Sequence, residues 1–344
     1  MSVVVIASEA MTTAIPIALL AAALATAPYK LGTFEVQGRS FVGLVRTDQT
    51  VIEIVGVRSM RDLIARYDHW KERLRGLAAE PAPSGPQAHA LAKLKLRPPV
   101  PNPETMLNAA VNYTEHDAEM RGRSASPSAP PASLPRSAPG LWERRADDAR
   151  HNPYLFVKPR TALIADGETI RIPPGRDQID WECELALVVG RSASRVPVEQ
   201  AADYVFGYTL EDDVSDRGGR GDSRHGSDWL VGKAHDTFAP LGPFIVPREF
   251  VPDPHKLPIK FSLSGTLMQD SNTDRMTHSV YELLHYASNI LTLQPGDVIS
   301  TGSPAGVGSA RNPPIFMKAG DVAACTIEGI GTLTNPVGAA EPGR

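Results

Sequence analysis

Cysteine is nearly missing from this chain: Cys183 and Cys325 are the only two in 344 residues. Two residues so far apart make neither a disulfide framework nor a cysteine-rich zinc site, and a reducing, cytoplasmic setting fits. Excess positive charge is missing too. A formal net charge of -4 and a pI near 6.2 argue against nucleic acid or an anionic membrane surface as the main partner. Neither a Walker nor a Rossmann fingerprint is present, and no internal repeat is apparent.

The apolar stretch from Ile15 to Ala27 is too short to span a bilayer. Its end, Ala25-Thr26-Ala27, imitates a signal-peptide cleavage site. No Lys or Arg precedes it, Glu9 stands where positive charge belongs, and Pro28 follows directly. A retained N-terminal tail or helix over 1–30 is therefore expected, with Met11 an alternative start to Met1 and export the competing reading.

What is present is an ordinary globular balance of 42% hydrophobic and 22% charged residues, enough for one large or two ordinary domains. Thr33 to Val55 alternates apolar and polar around Gln37-Gly38-Arg39 and Thr47-Asp48-Gln49, which predicts a β-meander. Met60, Leu63, Ile64, Tyr67, Trp70, Leu74 and Leu77 fall at helical spacing behind Ser59, which predicts one amphipathic helix. Glu80 to Gln87 reads as a linker, so a small N-terminal α/β domain is expected over 31–95. From 96 to 338 short apolar runs broken by Gly and Pro predict a β-rich α+β domain, with helices at 198–205 and 279–291. Within it, residues 121–150 carry a Pro/Ser-rich tract that suits a lid or a disordered loop.

The chemistry concentrates in a few segments. In Asp180-Trp181-Glu182-Cys183-Glu184 and the apolar run that follows, the two glutamates are two apart on a predicted buried strand and share one face. Paired buried carboxylates repel and suit a hard cation; a solvent-facing edge strand is the other reading. Glu211-Asp212-Asp213 ends a predicted strand and offers a third carboxylate, or else a solvated acidic turn. Lys233, amid apolar and Gly/Pro residues, suits partial burial beside an anion, or an exposed loop. His116 and Glu119 are neighbours on a helical turn, where Glu119 orients an imidazole that takes a proton from water; such pairs are also common on helix surfaces. The Gly-rich run from Thr301 to Gly308 lets backbone N–H groups approach an anion.

Taken in order, these segments resemble the fumarylacetoacetate hydrolase superfamily. The matching elements are Asn-Tyr-x-x-His-x-x-Glu at 112–119, Phe-x-Lys-Pro at 156–159, Glu-x-Glu at 182–184, Asp-Val-Ser-x-Arg at 213–217, Gly-Lys-x-x-Asp-Thr-Phe at 232–238 and Pro-Gly-Asp-Val-Ile-x-Thr-Gly at 295–302. They span about residues 107–337. The resemblance implies a mixed β-sandwich roll with peripheral helices, in a homodimer; the charge balance above leaves no nucleic acid or membrane partner expected. It implies Mg²⁺ or Mn²⁺ on Glu182, Glu184 and Asp213, chelated by a 2-oxo acid or β-diketone. Lys233 is then placed at the substrate carbonyl, His116 and Glu119 form the dyad on a lid, and Tyr113, Arg217, Thr301, Gly302 and Ser303 bind substrate.

Two spellings depart from that pattern. Asp212 stands where the family usually has Asn, adding negative charge near the metal, and Ser303 replaces a Thr while keeping a hydroxyl. The activity implied is metal-dependent C–C bond hydrolysis of an acylpyruvate-type substrate, with Lys233 stabilising the oxyanion. Isomerase, decarboxylase or hydratase action on a related 2-hydroxy-dienoate or 2-oxo acid is the alternative. An inactive metal-binding scaffold is disfavoured because no ligand or dyad residue is lost.

Overall fold

Alternation in the N-terminal region produces three antiparallel strands, Tyr29–Val36, Arg39–Arg46 and Thr50–Glu53. Gln37 and Gly38, with φ of 50° and 77°, make the tight reversal that sets Val36 opposite Arg39. The computed structural model describes residues 27–339 except 82–84, 125–136, 144, 146, 221–223 and 225. Residues 1–26 of the expected N-terminal tail and 125–136, 144 and 146 of the Pro/Ser-rich tract lie outside these residues.

The helical repeat behind Ser59 is two helices rather than the expected one, Met60–Ala65 and Tyr67–Ala79. Ser59 caps the first by accepting from the Asp62 N–H. Arg66, at φ -119° and ψ 22°, breaks the run. Met60, Leu63 and Ile64 before the break and Trp70 and Leu74 after it pack into one core with Leu31, Leu44, Val188, Phe206 and Ile245. The turn lets both apolar faces reach that core.

A twelve-stranded sheet joins this region to the rest of the molecule. Tyr29–Val36 pairs antiparallel with Ala239–Pro247, Leu31 standing opposite Ile245. The sheet continues through Val205–Asp212, Cys183–Val189, Val298–Ser300, Met106–Ala109 and Leu155–Val157. A five-stranded sheet of Thr266–Asn272, Pro258–Leu263, Val322–Ile327, Gly331–Ala339 and Ile170–Ile172 packs against it. Leu185, Leu187, Leu210, Phe261, Ile327 and Leu333 belong to the large buried core that results. Helix Val280–Ile290 sits outside the sheets, started by a capping box of Ser279 and Glu282. The other expected helix is a 3₁₀ segment, Val198–Tyr204. The result is the β-rich α+β architecture of mixed sheets with peripheral helices that the sequence predicts.

Cysteine requires a correction. Cys183 and Cys325 come from strands of the two packed sheets, their Cα atoms 5.3 Å apart, and they are disulfide-bonded. A separation of 142 residues hid this pairing from the sequence. It also removes the inference of a reducing compartment from unpaired cysteines. No helix among the described residues is long and apolar enough to cross a membrane.

Candidate active site

Strand Cys183–Val189 is buried along its whole length, and Glu182 just before it is buried too, which rules out the edge-strand reading of the glutamate pair. It pairs with Val205–Asp212, with Cys183 opposite Asp212 and Glu184 opposite Glu211. The ladder is extended by the Asp213 N–H, which donates to the Glu182 carbonyl at 2.8 Å. That register carries Asp213 to the face where Glu182 and Glu184 already point. The three carboxylates are buried, and one oxygen from each lies within 4.8 Å of the others. Glu211 and Asp212 are buried as well, so the acidic turn is not solvated.

Cations from separate elements meet this cluster. Lys233, at the end of the short helix Trp229–Lys233, places Nζ 2.7 Å from Glu182 Oε2 and 2.6 Å from Asp213 Oδ2. Lys158 reaches Asp213 Oδ1 at 2.6 Å and donates to the Val214 carbonyl at 3.0 Å. Arg217 donates through Nη2 to Glu182 and through Nε to Asp180 Oδ2, the latter at 2.9 Å. Local pattern assigns no role to Lys158 or Asp180; the signal for Lys158 is its place in the Phe-x-Lys-Pro element at 156–159.

Electrostatics divide the glutamate pair. Burial raises the Glu182 carboxyl, but Lys233 and then Arg217 outweigh it and hold it well below the usual carboxylate range. Glu184 is driven well above that range by burial and then by the charges of Asp213, Glu211 and Glu182. Its Oε2 accepts from the Gly302 N–H at 2.8 Å, while its buried Oε1 has no partner. Burial lowers the Lys233 ammonium, yet Asp213 and Glu182 overcome this and raise it, so Lys233 stays charged. An all-oxygen donor set with an orphaned oxygen and unrelieved repulsion at Glu184 fits a hard divalent cation.

Asp212 resolves a departure noted in the sequence. Its Oδ1 accepts from the Glu182 N–H at 2.9 Å, and its Oδ2 is buried without a partner. Burial pushes it up to about 7. Protonated, it does what an Asn would do there, accepting one backbone hydrogen bond without a full charge.

The dyad forms on helix Thr114–Ser124, where His116 Nδ1 lies 3.1 Å from Glu119 Oε2. His116 is buried and close enough to help lower Glu182. Asn112, just before the helix, donates through Nδ2 to the carbonyls of His278 and Thr301 at 2.9 and 2.8 Å. It thereby ties the start of the dyad segment to the Gly-rich loop. Tyr113 is fully buried with its hydroxyl unpartnered, and burial followed by Glu184 raises it well above the usual phenol range.

The remaining expected substrate contacts are occupied within the protein. The Thr301 hydroxyl donates to the Leu185 carbonyl at 2.8 Å, and Ser303 Oγ accepts from Gln269 Nε2 at 2.8 Å. Gly302, at φ 89°, takes the left-handed conformation that turns its N–H toward Glu184. Arg217 is committed to two carboxylates.

Comparison with known proteins places this geometry in context. The family model described as fumarylacetoacetate (FAA) hydrolase C-terminal matches residues 105–338. Oxaloacetate tautomerase fahd2, mitochondrial, of Xenopus laevis is 37% identical over 251 residues, covering 72% of this chain and 70% of the relative. The crystal structure of 5-carboxymethyl-2-hydroxymuconate delta-isomerase from Mycobacterium smegmatis superposes with a TM-score of 0.65 at 30% identity, over 91% of this chain and 99% of that one. Maleylpyruvate hydrolase from Sphingobium sp. SYK-6, solved with manganese (II) ion and pyruvate, gives a TM-score of 0.69 at 26% identity, over 91% and 100%.

Proposed function

The chain belongs to the fumarylacetoacetate hydrolase family, and on that premise we propose that it is a divalent-metal-dependent keto–enol tautomerase of a small 2-oxo acid such as oxaloacetate. The observation that carries this reading is the pairing of buried His116 with half-buried Glu119 beside an all-oxygen carboxylate cluster. The name of the Xenopus relative supports the same chemistry.

Glu182, Glu184 and Asp213 would hold a divalent cation, whose charge would stabilise an enolate form of the substrate. The residues supply the proton transfers. Glu119 on Nδ1 fixes the imidazole tautomer and leaves His116 Nε2 to move the proton between C3 and the C2 oxygen. Lys233, kept charged by Glu182 and Asp213, is positioned to donate to the oxygen on which negative charge develops. Arg217 holds Glu182 in place through Asp180, a positioning role that replaces the substrate contact expected from the sequence.

Hydrolysis of a C–C bond is the second reading, favoured by the same dyad, since a histidine held by a carboxylate also activates water. The hydrolase among the structural neighbours is consistent with it. The deciding experiment mixes the Mg²⁺-loaded protein with enol oxaloacetate and with a panel of acylpyruvates. It follows enol absorbance and product mass, with and without chelator. Tautomerisation predicts accelerated loss of enol absorbance at unchanged mass, abolished by chelation. Two fragments replace it with hydrolysis, loss of CO₂ with decarboxylation, and activity that survives exhaustive chelation overturns the metal requirement.

A further inference from the structure

Lys158, Lys233, Arg176 and Arg217 each meet a carboxylate at or beside this site. Arg220 does not. Among the described residues its guanidinium makes one hydrogen bond, from Nε to the Asp216 carbonyl at 2.6 Å, and its buried Nη2 has no partner. A buried guanidinium N–H left without a partner is costly, more so than a neutral group because it carries charge. Its planar fork matches a carboxylate in bidentate fashion.

The chain is built to hold that edge in position. The Arg220 carbonyl accepts from the Asp228 N–H at 3.0 Å, closing the loop onto the residue that caps helix Trp229–Lys233. On that helix the guanidinium lies against Gly232, where a Cβ would stand 2.5 Å from Nε and 2.6 Å from Cζ. Only a residue without a side chain leaves this space, and Gly232 immediately precedes Lys233. Arg220 Cζ also sits 5.8 Å from the Trp229 ring centroid. Trp229 packs 4.9 Å from Phe156, whose ring lies 5.2 Å from Lys233 Nζ. The unpaired fork therefore shares one wall with the lysine that bridges Glu182 and Asp213. Burial and then Arg217 lower its pKa, against Glu182, Asp213 and Asp216, which places it in the field of the same cluster.

We propose that Arg220 binds the second carboxylate of the substrate, so that this site selects dicarboxylic over monocarboxylic 2-oxo acids. The proposal rests on reading the site as one for 2-oxo acids. The carboxylate next to the oxo group belongs to the end of the molecule at the acidic cluster, and Arg220 reads the other end.

The test uses two ligands that have no C3 proton to lose, so that neither is turned over by tautomerisation. Trimethylpyruvate carries one carboxylate and 3,3-dimethyloxaloacetate carries two. Calorimetric titration of the full-length, Mg²⁺-loaded protein is expected to show the dicarboxylate binding about 10- to 100-fold more tightly, the worth of one charge-assisted pair. Arg220→Gln is expected to abolish that preference while leaving trimethylpyruvate affinity within about twofold, and Arg220→Lys to restore part of it. Gly232→Ala displaces the guanidinium without removing it and is expected to cause the same selective loss, which keeps the test intact if Arg220→Gln fails to fold. No preference in the wild type, a preference retained in Arg220→Gln, or equal weakening of both ligands overturns the proposal. Failure of the tautomerase reading is seen separately, as unchanged enol absorbance with oxaloacetate, and leaves the binding comparison standing.

Discussion

Gly306 donates its backbone N–H to both carboxylate oxygens of Glu119, at 3.1 and 3.3 Å. The dyad helix is thus anchored to the Gly-rich loop 187 residues away in sequence. The same loop gives the N–H groups of Gly308 and Ser309 to Asp180, which in turn holds Arg217 against Glu182. The His116–Glu119 pair and the carboxylate cluster are therefore positioned by one loop.

Glu119→Gln separates anchoring from charge. A glutamine oxygen still accepts from Gly306, but the carboxylate charge beside His116 Nδ1 is gone. Turnover is expected to fall roughly 10- to 100-fold, with the melting temperature near that of the wild type. Steady-state kinetics beside a thermal melt check this, and an unchanged kcat would exclude Glu119 from the chemistry.

Lys233→Met removes the ammonium that bridges two buried carboxylates. In chelator the variant is expected to lose about 3 kcal/mol of stability, the usual penalty for stranding buried charge. Added Mg²⁺ is expected to recover part of the loss, because the cation supplies the missing positive charge. Urea denaturation in EDTA and in Mg²⁺ measures both effects; an unchanged midpoint in EDTA counts against the site electrostatics described above.

Asp212 gives a pH prediction. Its folded value is raised from 3.8 to about 7, so between those limits the folded state holds a proton that the unfolded chain releases. This group's contribution to stability therefore falls as pH rises through that window and stays reduced above it. Asp212→Asn lacks the titration and keeps the acceptor for the Glu182 N–H. The variant is expected to gain on the wild type as pH rises from about 4 to 7, by up to about 4 kcal/mol. Paired denaturation curves in chelator across that range test it, and parallel curves would refute it.

The Cys183–Cys325 bond closes a loop of 142 residues. Chain-entropy arguments put its contribution at roughly 5 kcal/mol at most. Replacing both cysteines with Ala is expected to lower the melting temperature, and the intact mass of unreduced wild type should be lighter by two hydrogens than the reduced protein. An unreduced mass with both thiols intact would remove the bond from the account.

Much of the site was legible from local pattern. Glu182 and Glu184 share one face because strand side chains alternate, and His116 and Glu119 share one helical turn because residues three apart are neighbours there. The meander was legible for the same reason, since turn residues and alternation are short-range signals. The break at Arg66 was not, because the helical spacing runs through it and only the position of the core decides that the chain must turn.

Sequence by itself determined which chemical groups this protein has and which of them stand side by side along the chain. It could not say that Arg217 would face Asp180 and Glu182, that burial would raise the Asp212 carboxyl, or that Cys183 would meet Cys325. Those outcomes depend on strand register and on how two sheets pack, which bring together residues with no periodic relation in sequence. Burial then sets the charge states, because a carboxylate or guanidinium is stable inside the fold only where the tertiary structure supplies its partner.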